Sequence, residues 1–130
     1  MPEFDTARLI ASLERFGAAL PVLLEGVTPD EARWKPADGA WSILEIVRHL
    51  GDEEVEDFRT RVESTLRDPD SDWPPIDPVG WATERRYNEG QLEETVLCFV
   101  RERHRSVAWL RTLPNPDWSR TKTHPKLGSM

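Results

Sequence analysis

Apolar residues recur at intervals of three and four along most of this chain, and no stretch alternates in the manner of a strand. Leu9, Leu13, Phe16, Leu20 and Leu24 form the first stripe, which predicts a helix from about Thr6 to about Glu25 capped by Asp5 or Thr6. Pro21 falls inside it, but the stripe continues in phase, so a kink is expected there and a stop at Gly26. Thr28-Pro29-Asp30-Glu31 announces a short helix, with Thr28 as cap, Pro29 in the first turn and Glu31 completing the box.

The second long helix has the clearest start. After the turn Pro36-Ala37-Asp38-Gly39 comes Ser42-Ile43-Leu44-Glu45. There the Ser42 hydroxyl can accept from the Glu45 N–H, and the Glu45 carboxylate from the Ser42 N–H. Trp41 and Ile46 have the spacing of a hydrophobic staple. Ile43, Val47 and Leu50, then Val55, Phe58, Val62 and Leu66, carry the helix to about Arg67. The stripe rotates between these halves, so the helix bends or meets two neighbours. Asp68 to Pro78 holds Pro69, Pro74, Pro75 and Pro78, cannot be helical, and is long enough for a crossover.

A short helix is expected from Trp81 to Tyr87, then a cap in Asn88-Glu89-Gly90-Gln91. The third long helix follows to about Thr112, with Leu92, Val96, Phe99, Val100, Val107 and Leu110 inward and Pro114 ending it. Pro116-Asp117-Trp118 makes a turn, and Thr123 to Gly128 is loop. Ser129 has the chemistry of another helix cap. The pattern is that of a single all-α domain over residues 1–130, cut before its last helix. Its uncovered apolar faces would call for a partner, most simply a second copy in a homodimer.

The length of 130 residues suits one modest core. A net charge of −7 argues against nucleic acid and anionic membranes as partners. No apolar run reaches a membrane span, and Met1-Pro2-Glu3 does not start a signal peptide. One cysteine, Cys98, excludes an intrachain disulfide, and the cytoplasm is the expected location. The six tryptophans are expected in core and rim packing.

Several segments together resemble the DinB-like (DinB/YfiT) family. They are Arg33-Trp34-Lys35-Pro36, the run Gly39 to Leu50, the acidic pair Asp52-Glu53, Tyr87-Asn88 and His124 to Met130. The resemblance implies a four-helix bundle of up-down-down-up order with a long crossover. It implies a divalent metal, zinc or nickel, held by three histidines: one where His49 lies, and two at i and i+4 on a fourth helix. Relatives include transferases that use low-molecular-weight thiols, and dimers are common among them. Here three long helices are present and the fourth is missing, so only His49 carries over. His124 matches a loop histidine of the family, not a ligand.

A catalytic zinc site takes three protein ligands, so His49 alone is not a site. Its helical neighbours Glu45, Ile46, Asp52 and Glu53 are mostly acidic. The plain reading is a solvated acidic face. The functional one is a ligand at the bundle mouth, with Glu53 or Asp52 as auxiliary ligand or acceptor for a bound water. Glu45 and Glu56 are expected to be structural, and His104 an ordinary edge residue. Cys98 has no histidine at i±3 or i±4 to activate it. Arg85-Arg86 and Arg101, Arg103, Arg105 and Arg111 are expected in surface ion pairs. Two functions remain: a metal-dependent transferase or hydrolase-like enzyme with an incomplete site, inactive and without stably bound metal in this chain alone, or a non-catalytic module that self-associates or binds a helix.

Overall fold

The structure is a computed structural model that describes residues 5–124 and 127–129. The opening Met1-Pro2-Glu3, Pro125, Lys126 and Met130 lie outside the described residues. The expected all-α bundle forms from three rods. The first is α1 (Thr6–Leu23), capped by Asp5, whose carboxylate accepts from the Arg8 N–H at 3.1 Å. It runs through Pro21 and ends two residues later, with Gly26 at φ +83° turning the chain away. Then α2 (Pro29–Arg33) forms with both capping-box bonds in place.

The second rod is continuous but has three parts: α3 (Ile43–Asp52), a π-helical segment (Glu53–Arg59) and α4 (Thr60–Arg67). The Ser42–Glu45 box is made reciprocally at 3.1 Å each way. The π segment is the physical reason for the rotated stripe, because wider turns shift every later residue around the axis. Thr60 supports it by donating its hydroxyl to the Val55 carbonyl, five residues back, at 2.7 Å.

The crossover leads to α5 (Pro78–Glu84), three residues earlier than its apolar pattern suggests. Asp77 caps it through the Gly80 N–H at 3.0 Å, and Pro78 takes the first turn. A 3₁₀ turn (Tyr87–Glu89) precedes the third rod, α6 (Leu92–Thr112). The expected loop at the tail instead carries a minimal antiparallel hairpin, β1 (Thr123–His124) with β2 (Gly128–Ser129), pairing Thr123 with Ser129 and His124 with Gly128. Ser129 is therefore a strand residue here, not a helix cap. The hairpin lies outside the core.

Rod α6 is the shared partner, packing along α1 on one side and along α3 and the π segment on the other. The core has two apolar layers. Leu20, Val47, Val96 and Phe99 make one, and Ile10, Val107 and Leu110 the other. Between them on the rods sit buried Glu54 and Glu102. Glu54 binds Arg103, and Glu102 binds Arg59 at 2.6 Å. The expectation of surface pairing therefore fails for Arg103, which crosses the core. It holds for Arg111–Glu14, Arg105–Glu102 and Arg86–Glu89, where the arginine stays at least half exposed. None of the six tryptophans is fully buried. Trp34 is well exposed, Trp109 packs against the second apolar layer, and Trp73 and Trp118 line a cavity. No helix among the described residues is long and apolar enough to cross a membrane.

Candidate metal centre

The capped start at Ser42 fixes the phase of α3, and with it His49. Ser42 is itself locked in place. Its hydroxyl donates to Asn88 Oδ1 at 2.5 Å, and the Asn88 amide donates to the Arg33 carbonyl at 3.2 Å. Trp41 reaches past the cap to meet the His49 ring edge-on at 4.9 Å. Ile46, its expected staple partner, is left about half exposed.

The His49 Nδ1 atom is buried and has no hydrogen-bond partner. The nearest carboxylate oxygen is Glu53 Oε1 at 3.7 Å, beyond hydrogen-bond range. Burial lowers the His49 pKa from its ordinary value, against the pull of Asp52 and Asp57. Burial likewise raises Glu53 to about 7, aided by a hydrogen bond to Asp57 and the Asp57 charge. Near neutrality the imidazole is uncharged and Glu53 is partly protonated. The 3.7 Å contact is thus not an ion pair. A neutral imidazole with a bare nitrogen is the form that binds metal.

The row continues along the rod. Asp57 faces Glu53 and contacts Arg61 Nε at 2.6 Å, with that N–H outside hydrogen-bonding geometry. In an α-helix turning about 100° per residue, Arg61 would lie about 120° around from His49. The seven π residues take back most of that swing, because the wider turn rotates less per residue. So His49, Glu53, Asp57 and Arg61 come to one side. Sequence reading missed Asp57 and Arg61. Their steps of four were visible, but without the π segment those steps drift off the face.

Asp52 sits differently. It accepts from the Tyr87 hydroxyl and pairs with Arg85 Nη1 at 2.9 Å. Arg85 also forks onto Glu56 at 2.6 and 3.1 Å, which raises its pKa. Tyr87 is fully buried under Arg48, and its pKa is pushed up by that burial and by Asp52. Asp52 and Glu56 thus tie the Tyr87 turn to the second rod, leaving Glu53 as the carboxylate beside His49. Glu45 is structural as expected, capping α3 and pairing with Lys35 at 3.0 Å.

The other sequence candidates lie elsewhere. His104 is exposed on α6. His124 lies in β1 against Trp73, with ring centres 6.1 Å apart. Cys98 is exposed, and Arg101 Nη2 approaches its sulfur at 3.5 Å. Among the described residues no group of three or more His, Cys, Asp or Glu is placed to hold a metal ion. The donor set is one imidazole and one neighbouring carboxylate, which does not fit a complete catalytic zinc site.

These features define a class: an all-α bundle with a long crossover, presenting an unsatisfied imidazole beside a carboxyl on its second rod. Residues 12–130 match the DinB superfamily, and the chain belongs to it. The solved structure of YfiT from Bacillus subtilis aligns with a TM-score of 0.84 at 21% identity, covering 100% of this chain and 76% of that one. YfiT is described as "a probable metal-dependent hydrolase with an unusual four-helix bundle topology". At this identity the likeness is one of fold. No curated protein matches the sequence.

Proposed function

We propose that this chain belongs to a divalent-metal-dependent enzyme, a hydrolase or a low-molecular-weight-thiol-dependent transferase, with His49 as metal ligand and Glu53 as the adjacent carboxyl. The observation that carries the reading is the buried, unpartnered His49 Nδ1 facing Glu53. Buried polar atoms are nearly always satisfied, so an orphan one asks for a partner. Membership of the superfamily and the description of YfiT support a metal as that partner. Bound zinc or nickel would supply Lewis acidity and lower the pKa of a water or thiol. Glu53, near half protonation at neutral pH, is suited to hold or release a proton there. Trp41 shields one side of the imidazole.

Two donors fall short of the three a catalytic zinc takes, so the remaining ligands come from outside the described residues. The resemblance implies a histidine pair on a further helix. Calorimetric titration of the purified chain with Zn²⁺ and with Ni²⁺ tests this. The expected result is weak binding that His49→Ala removes. Binding that survives His49→Ala takes His49 out of the reading. Tight stoichiometric binding overturns the incomplete site.

The second reading is self-association. A cavity of about 390 Å³ opens between α1 and the second rod, lined by Leu9, Ile10, Leu13, Phe58 and Val62. Leu9 at its α1 side and Phe16 two turns further along α1 remain 47% and 42% exposed, apolar surface that favours cover by a second copy. Analytical ultracentrifugation showing a compact monomer counts against the homodimer.

A further inference from the structure

A second cavity, also about 390 Å³, lies further along the second rod; Asp57 and Arg61 line it, and it shares Phe58, Val62 and Trp118 with the first. Its floor is Phe58 and Val62 from the second rod. Its walls are two indoles from different segments: Trp73 of the crossover and Trp118 of the tail. Trp73 is fixed, donating Nε1–H to Thr65 Oγ1 at 2.9 Å and carrying the Arg61 guanidinium 4.8 Å from its ring centre. Trp118 is 43% exposed and so has a free aromatic surface. Two such walls over an apolar floor favour a flat ring.

The charges select among flat rings. Arg61 is neutralised by Asp57 at 2.6 Å. Arg120 is not matched in the same way. One of its nitrogens donates to the Leu66 carbonyl, and its nearest carboxylate, Asp117, stands at 3.6 Å. That carboxylate is engaged by its own turn, accepting from the Ser119 N–H at 3.1 Å and hydroxyl at 2.5 Å. A guanidinium has five N–H donors in a planar fork, so Arg120 keeps donors for a carboxylate at the cavity.

We propose that this cavity binds a small planar aromatic carboxylate, its ring against Trp118 and Trp73 and its carboxylate on Arg120. The proposal rests on the cavity and does not need the metal reading, because binding is measured with chelator present. The probe is 2-naphthoate, titrated by calorimetry in EDTA, with 2-naphthylmethanol and cyclohexanecarboxylate for comparison. The expected result is saturable one-to-one binding of 2-naphthoate, with the other two weaker. Arg120→Gln weakens 2-naphthoate by about tenfold or more, the loss of one charge-assisted contact, and leaves 2-naphthylmethanol unchanged. Trp118→Ala weakens both ring compounds, and Trp118→Phe, which keeps a ring, restores most of the affinity. No saturable heat at millimolar probe overturns the site. Equal affinity in the Arg120→Gln and Trp118→Ala proteins overturns it too. Cyclohexanecarboxylate binding as tightly as 2-naphthoate overturns the aromatic assignment.

Discussion

Arg103 grips Glu54 through two parallel contacts, Nε to Oε1 at 2.8 Å and Nη2 to Oε2 at 3.0 Å, with the side chains only 13% and 3% exposed. The pair joins α6 to the π segment. The third nitrogen, Nη1, donates to the Leu13 carbonyl of α1 at 3.0 Å, so one guanidinium ties all three rods. Its faces lie near the rings of Phe16 and Phe99, at 5.5 and 5.1 Å. Gly17 makes the passage possible, since a Cβ there would meet Arg103 Cγ at 3.0 Å.

Removing either partner strands the other in the core. We expect Arg103→Met or Glu54→Leu alone to cost about 3–5 kcal/mol, and the double variant to recover much of it, because a buried ion pair can often be replaced by apolar packing. Urea denaturation of the three variants checks this. Additive single losses would show that the two side chains do not act as a pair.

The same geometry sets the sign at Gly17. In a free helix Gly→Ala gains about 1 kcal/mol. Here Arg103 is held at three points and cannot easily yield. We expect Gly17→Ala to destabilise by about 1–2 kcal/mol as an overpacked contact. A midpoint in urea at or above that of the wild type would mean that Arg103 gives way.

Features written within a few neighbouring residues were legible in the sequence. Ser42 and Glu45, or Thr28 and Glu31, need only three residues of spacing to show a helix start. His49 inherited its position from that start. Features that depend on partners far along the chain were not legible. Glu54 and Arg103 are separated by 49 residues, and each alone looks like part of a solvated charged face. The π segment has no compositional mark, so the rotated stripe showed that something changes near Glu53 without showing what. It was that segment which aligned Asp57 and Arg61 with His49. Trp73 and Trp118 became a cavity only once crossover and tail met at the second rod.

Ser42 is 1% exposed and serves two bonds besides its cap role: its N–H donates to Glu45 and its hydroxyl to Asn88. Ser42→Ala therefore leaves both the Glu45 N–H and Asn88 Oδ1 without a partner. A loss of about 2 kcal/mol is expected, the upper end for a cap. Asn88→Ala should recover less than the full cap energy in a double-mutant cycle measured by denaturation. Purely additive effects would separate the cap from the Tyr87-Asn88 turn.

Glu53 makes stability fall as pH rises. Its pKa in the fold is about 7, above the ordinary 4.5, so between these values the folded chain holds a proton that the unfolded chain has released. The stabilising difference is complete below about pH 4.5 and lost as pH passes 7, a change of about 1–3 kcal/mol. His49 acts in the opposite sense, since its lowered pKa makes the fold lose stability as pH falls below the ordinary 6.5. The total pH profile therefore mixes two slopes, but the difference between wild type and Glu53→Gln isolates one. Glutamine keeps the shape of the protonated carboxyl and cannot ionise. We expect the variant to match wild type near pH 5 and to exceed it by about 1–3 kcal/mol at pH 8 in urea denaturation. A difference that stays constant between those pH values would mean that Glu53 titrates alike in both states.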